Sequence, residues 1–416
     1  MIDRVHVVGA GLAGLAASLR LAEAGVKIVL HEAAPQAGGR CRSYFDATLG
    51  CRIDNGNHML VAGNRAAMAF IDMIGARDAL SSAAPNYAFL DMASGERWNF
   101  RPNRGRIPWW MFSAGRRIHG IPPWDYAGGV RLFLARPEQC VTDVLASDTT
   151  IFRRLWRPLA TAALNTEPET ASALLLARVL RETFGAGGEA CAPVVLQAGL
   201  SETLIDPALA KLKSLDATIR FGSRLRAIET AGDRISWLRL EDGDEFLCPH
   251  EAAVLAVPSA IAPRLLPGID APDEFRAILN AHFRFAAAPE LPWFVGLIGG
   301  TAEWVYRKRE VLSVTISAAD RLMDRPAEEL APMLWDDVRR AYDLSDEPLP
   351  PCQIVKERRA TFAATPEQLR KRPPNASRWR NLVFAGDWTD TGLPGTIEGA
   401  IRSGFAAADR LLAKSA

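Results

Sequence analysis

The sequence predicts an α/β fold: a parallel-sheet domain, discontinuous along the chain, with an α+β domain inserted into it. Three observations predict this. A strand–glycine turn–helix–strand unit opens the chain, a strand–glycine turn–helix unit closes it, and the long stretches between them follow neither pattern. The chain has 416 residues, 49% of them hydrophobic and 23% charged, an ordinary globular composition. That length accommodates two or three domains. Folding it buries roughly 75% of the unfolded surface, so no disulfide or metal staple is needed. Lys and Arg number 49 against 48 Asp and Glu, a net charge of +1. A nucleic-acid partner asks for a large basic excess and is not expected.

The cysteines (Cys41, Cys51, Cys140, Cys191, Cys248 and Cys352) form no C-x-x-C pair, and the histidines do not cluster. Neither a zinc site nor a disulfide framework is expected. Reduced thiols point to a cytoplasmic setting. No apolar run reaches the ~18 residues of a spanning helix. The start does not read as a leader, because Val5 to Val8 runs straight into glycines and a helical pattern.

The opening unit is read element by element. Val5-His6-Val7-Val8 is a short apolar run suited to a buried strand. Gly9-Ala10-Gly11-Leu12-Ala13-Gly14 follows, and Leu15, Leu19 and Leu21 then recur at helical spacing until Gly25. Val26 to Leu30 is a second strand that delivers Glu32. This is the Rossmann-type order of strand, G-x-G-x-x-G, helix, strand and acid. Gly9 permits the tight turn, Gly11 lets a pyrophosphate approach the backbone, and Gly14 lets the helix pack on the strand. The helix N-terminus offers free N–H groups and a positive dipole to phosphates, with Leu12 and Ala13 in its first turn. Glu32 lies 23 residues after Gly9, close to the expected ~20, and accepts from a ribose. An acid there favours an unphosphorylated ribose, hence FAD or NAD over NADP.

The closing unit is Asn381 to Ala385, an apolar strand, then Gly386-Asp387-Trp388, Gly392, Pro394-Gly395, and a final helix opening at Thr396-Ile397. In the middle, Ile219 to Glu229 and Ile235 to Leu240 read as strands around Gly232-Asp233. Ala253 to Val257 is another strand, ending at Pro258. The expected division is 1–64, 190–265 and 355–416 for the cofactor domain, and 65–189 with 266–354 for the inserted domain.

Gly38-Gly39-Arg40-Cys41-Arg42-Ser43 comes six residues after Glu32. It resembles the G-G-R-x-x-[ST] element of the flavin amine oxidase and carotenoid (phytoene) desaturase superfamily. Arg40 would bring a planar cation to the pyrophosphate. Asp54-Asn55-Gly56-Asn57-His58 resembles the next loop of that superfamily, which runs beside the flavin. The closing unit resembles its final FAD motif. The resemblance implies non-covalent FAD, with Gly386 and Asp387 at the ribityl or pyrophosphate end. The N–H groups of Thr396 and Ile397 would face the flavin N1/O2 edge, and the Leu225 backbone would lie at the adenine.

Trp156-Arg157-Pro158-Leu159 and Ala163-Leu164-Asn165-Thr166-Glu167-Pro168 narrow the resemblance. So do Asn280-Ala281-His282-Phe283, Val314 to Asp320 and Lys356 to Thr361. Together they look like the squalene-associated branch, the hydroxysqualene dehydroxylases of bacterial hopanoid and squalene synthesis. That branch implies reductive loss of an allylic hydroxyl, with hydride from N5 of reduced flavin and release of water. Its substrate would be a hydrophobic C30 isoprenoid, and a squalene-synthase-like enzyme would be its pathway neighbour. The external electron donor is left open. Such chemistry asks for a long apolar site and a proton donor. The expected donors are His58, then Asp54, Asp390 and His282, although His58 reads equally as a cofactor contact. Lys308, in Arg307-Lys308-Arg309, is expected in an exposed turn, away from any flavin. The resemblance leaves two other readings: an oxidative polyprenyl desaturase or related oxidase, and a prenyl-lipid carrier without redox chemistry.

Residues 97–136 hold eight arginines and one acid, interleaved with Trp98, Trp109, Trp110, Phe112, Trp124 and Tyr126. This pattern suits peripheral contact with the inner membrane face. It equally suits an aromatic core with a solvated arginine face.

Overall fold

The computed structural model describes residues 2–413 apart from Gln197, Arg309 and Asp346. In chain order, the elements that position the site are β1 (Arg4–Val8), α1 (Leu12–Glu23), β2 (Lys27–Glu32), α2 (Arg65–Met73), β3 (Tyr87–Asp91), β4 (Arg97–Phe100), β5 (Thr218–Phe221), β6 (Glu251–Leu255), β7 (Phe275–Arg284), β8 (Phe294–Ile298), β9 (Trp304–Lys308), β10 (Val311–Ile316), α3 (Ala327–Tyr342), β11 (Cys352–Phe362), β12 (Leu382–Phe384) and α4 (Ile397–Ala413). Among the described residues two large sheets dominate. The first is parallel, in the order β5-β2-β1-β6-β12. The second has the order β11-β7-β10-β9-β8-β3-β4 and is antiparallel except where β8 runs beside β3.

The first sheet follows from its sequence. Strands covered on both faces read as continuous apolar runs, and Val5, Val7, Ala252 and Val254 are fully enclosed. Helix α1 buries Leu15, Leu19 and Leu21 in the same core, each contributing about 1.5–3 kcal/mol of burial. Helix α4 lies on α1, and the contact depends on a glycine. A Cβ at Gly404 would stand 2.2 Å from the Ala13 carbonyl oxygen.

In the second sheet the side chains alternate between two faces. On β7, Ala277, Leu279, Ala281 and Phe283 point to one side; on β10, Leu312, Val314 and Ile316 do the same. These join Leu330, Leu334 and Val338 of α3 in one apolar cluster. The opposite face carries Asn280, His282, Ser313 and Thr315. On β9 it carries Trp304, Tyr306 and Lys308.

Three expectations change. Residues 219–229 do not form one strand. β5 ends at Phe221, Gly222 turns at φ +72°, and a separate strand, Leu225–Ala231, pairs in a small antiparallel sheet. Helix α2 packs Ala67, Phe70 and Ile71 into the first core, so the stretch after residue 64 belongs with the cofactor domain. Strand β11 pairs with β7, so residues 355–362 belong with the inserted domain. Apolar burial in the one case and strand pairing in the other cross a boundary that local patterning does not mark.

Candidate active site

The cofactor half forms where α1 and α4 begin. Gly9 adopts φ +106°, open to glycine at no steric cost. A Cβ at Gly14 would lie 1.9 Å from the Gly9 carbonyl oxygen, so the helix can follow the turn only with glycine there. Gly11 bridges Gly38, and the Gly38 N–H donates to the Ala10 carbonyl at 2.8 Å. The two glycine motifs therefore lie side by side. Glu32 accepts from the Ala10 N–H at 2.7 Å and the Ala34 N–H at 2.8 Å, which fixes its carboxylate at the end of β2. The Ser223 N–H donates to the Glu32 carbonyl, so the turn leading into Leu225 sits beside that acid.

The two ends of the chain meet here. Arg40 donates to Asp387 Oδ1 at 2.7 Å and to the Ala360 carbonyl at 2.7 Å. The nearby Asp387 carboxylate raises the Arg40 guanidinium further above its ordinary value, against the cost of burial. Arg372, which the sequence reading did not single out, supports this loop. It donates to the carbonyls of Asp387 and Thr389 and to Thr391 Oγ1. Burial pulls its pKa down to about 10. The Gly386 N–H donates to Ser403 Oγ at 2.7 Å, which ties the loop to α4. Thr396 stands ahead of α4 and its hydroxyl accepts from the Gly399 N–H at 3.0 Å. This is N-cap geometry, and Ile397 opens the helix.

The loop from Asp54 to His58 joins the two domains. The Asn57 side chain donates to Thr315 Oγ1 at 3.0 Å, and the Thr315 hydroxyl donates to Asn280 Oδ1 at 2.8 Å. A Cβ at Gly56 would approach Asn280 Nδ2 to 3.1 Å. Two of the substrate-side motifs, those of Asn280 and Thr315, therefore meet this loop. Asn165 joins three of the motifs to one another: it ends a helix at φ +48° and donates to Thr361 Oγ1 at 3.0 Å, and its own oxygen accepts from the Ala318 N–H at 2.7 Å.

The expected proton donors lie in contrasting surroundings. Burial, reinforced by Lys308, pulls His58 down to about 4, so it is neutral near pH 7 with no extra proton to give. Burial and Lys308 likewise bring His282 to about 4, and its Nδ1 lies 2.8 Å from Ser313 Oγ. Burial pushes Asp54 up. The Lys308 cation, the Leu200 N–H and the Ser43 hydroxyl outweigh it and hold the carboxyl below its ordinary value. Asp390 lies exposed at a turn, where it accepts from the Gly392 N–H at 3.3 Å. Lys308 does not lie in an exposed turn. It is the last residue of β9, and its Nζ lies 2.9 Å from Asp54 Oδ2. The sequence signal was present: in β9 Lys308 shares the face of Trp304 and Tyr306. Glu303 was also missed. Its Oε2 accepts from the Ser317 N–H at 2.8 Å, and burial pushes its pKa up to about 7.

These residues fit FAD. A side chain at Gly11 would meet no atom within 4 Å, so the backbone beside the α1 N-terminus is accessible to a pyrophosphate. Asn57 Oδ1 and His282 Nε2 are buried without a hydrogen-bond partner, and both belong to the face where the loop meets the second sheet.

Comparison with known proteins agrees. The family model described as flavin containing amine oxidoreductase matches residues 12–412. The hydroxysqualene dehydroxylase of Rhodopseudomonas palustris is 47% identical over 415 residues, covering 99% of each chain. That of Sinorhizobium fredii is 43% identical over 416 residues and 100% of each chain. Among solved structures, cyclohexylamine oxidase from Brevibacterium oxydans superposes with a TM-score of 0.73 at 15% identity over 100% of both chains, a likeness of fold. The chain is thus an FAD-dependent oxidoreductase belonging to the flavin-containing amine oxidoreductases and, within them, to the hydroxysqualene dehydroxylases.

Proposed function

We propose that the chain removes the hydroxyl of hydroxysqualene reductively, giving squalene and water. The observation that carries this reading is that the Asn280 and Thr315 motifs meet the loop from Asp54 to His58, next to an aromatic sheet face. On that face Phe89 lies 5.7 Å from Trp304, Phe294 lies 6.0 Å from Trp304, and Phe294 lies 6.3 Å from Tyr306, between ring centroids. Apart from its hydroxyl a C30 isoprenoid chain is apolar, and such a face suits its hydrocarbon. The aromatic rings also offer their negative faces to positive charge developing at an allylic carbon, and they keep water away from it.

When bound, reduced FAD supplies the hydride. The carbon–oxygen bond breaks, the new carbon–hydrogen bond takes the hydride, and the hydroxyl leaves as water after gaining one proton. Within the loop cluster the side chain held beside Asp54 is that of Lys308, and it is the group assigned to donate this proton. Asp54 orients that side chain at 2.9 Å.

The test is anaerobic. Flavin in the purified holoenzyme is reduced, hydroxysqualene is added, and flavin oxidation is followed alongside squalene formation. Flavin oxidation with one squalene per flavin is expected. Reduced flavin that persists with bound substrate and no squalene overturns the reading. Dehydrogenation of a polyprenyl chain by the oxidised enzyme would assign it to desaturase chemistry instead.

A further inference from the structure

We infer that residues 101–136 form a docking surface for an anionic lipid bilayer. Among the described residues, seven of the eleven large apolar side chains that lie exposed fall between Ile107 and Leu134. Phe112 is 73% exposed, Trp124 74% and Leu134 81%, and Trp109 and Val130 accompany them. Water does not favour such clustering, which marks a surface that meets another phase or partner.

The side chains are carried on a fixed backing. They project from two short 3-10 segments, Trp109–Phe112 and Pro123–Leu134. Trp110 from the first and Tyr126 from the second turn inward and meet edge to face at 5.1 Å. The Ile118 N–H donates to the Tyr126 hydroxyl at 3.0 Å. Asn103 braces the preceding loop, donating to the carbonyls of Gly105 and Ile107 and accepting from the Trp110 N–H. The sequence offered a core or a membrane contact; the segment divides between buried anchors and exposed residues.

Charge selects the partner. The segment contains Asp125 as its single acid. Among the described residues, no carboxylate pairs with Arg104, Arg106, Arg116, Arg117 or Arg131. Arg116 lies 4.8 Å over the Trp109 ring. Tryptophan beside unpaired arginine suits the headgroup level of an anionic bilayer, where ring and cation are both satisfied. The buried anchors of the segment are packed into the same aromatic cluster as the sheet face. Phe89 stacks on Trp98 at 5.7 Å, and Phe100 meets Trp110 at 4.8 Å.

The test is co-sedimentation of the holoenzyme with vesicles of phosphatidylcholine, with and without phosphatidylglycerol. The wild type is expected to sediment with the anionic vesicles and to be released by salt. The double variant Trp124→Ser, Leu134→Ser should partition about tenfold less. The triple variant Arg104→Gln, Arg106→Gln, Arg131→Gln should lose the preference for phosphatidylglycerol. An unchanged flavin spectrum and melting temperature confirm that the variants fold. Wild type that stays in the supernatant with both vesicle types overturns the proposal, as does a double variant that binds like wild type. Vesicle-independent self-association that the double variant abolishes also overturns it, in favour of an interface between copies of this chain.

Discussion

At the scale of single residues, the site is governed by one cation. Lys308 neutralises Asp54 and helps keep His58 and His282 uncharged. Replacing it with Met leaves a buried carboxylate unpaired, which should cost about 3 kcal/mol. It also removes the proposed proton source, so single-turnover flavin oxidation should slow by at least about 100-fold. Lys308→Arg should recover the stability but not the rate, because guanidinium does not release its proton. Wild-type turnover in Lys308→Met would remove Lys308 from the chemistry. His282 makes a second prediction. Its folded pKa of about 4 lies below the ordinary 6.5, so the unfolded chain binds the proton first. Its stabilising contribution is complete above pH 6.5 and is lost as pH falls toward 4. The slope is up to about 1.4 kcal/mol per pH unit. Glu303 acts in the opposite sense: its pKa is raised to about 7, so its contribution is lost as pH rises from 4.5. Relative to wild type, His282→Gln should therefore lose more stability at pH 7 than at pH 5, read from denaturation midpoints at the two pH values. An equal loss at the two pH values would refute the assignment.

At the scale of elements, the cofactor half depends on close helix packing. Gly404→Val places side-chain carbon against the Ala13 carbonyl and forces α1 and α4 apart. Overpacking of this kind costs about 1–3 kcal/mol or more, and FAD should be lost on gel filtration. Ala406→Val, two residues on at an exposed position of α4, should change stability by no more than about 0.5 kcal/mol. Loss of FAD in both variants would mean that α4 tolerates no substitution, and the packing argument would fail. In the second sheet the alternation on β7 and β10 separates an apolar face under α3 from a polar face toward the loop. Local alternation was readable there, as were the motifs, but not which face would meet the flavin loop.

At the scale of the whole molecule, Arg40 and Asp387 join parts of the chain that are 347 positions apart. Hydrogen bonds to charged groups contribute about 1.5–3 kcal/mol. Arg40→Ala should therefore weaken FAD binding by roughly 10- to 100-fold in a fluorescence titration. Added FAD should also raise its melting temperature less than that of wild type. Unchanged affinity would mean that Arg40 ties the chain ends together without contributing to the cofactor site. The described helices include none long and apolar enough to cross a membrane.

The sequence by itself determined the cofactor half. Glycine turns, helix starts and the acid after β2 are local devices, set within a few residues, and each stands where its motif predicted. It also marked the substrate-side motifs, through their resemblance to the hydroxysqualene dehydroxylase branch. Tertiary structure alone decided which carboxylate Lys308 pairs with, which histidines stay neutral, that Arg372 braces the Asp387 loop, and on which side of the domain boundary α2 and β11 lie. It also decided which aromatics of 97–136 are anchors and which face outward. Pairing, burial and protonation depend on neighbours that the chain brings together only when it folds, and no spacing along the sequence records them.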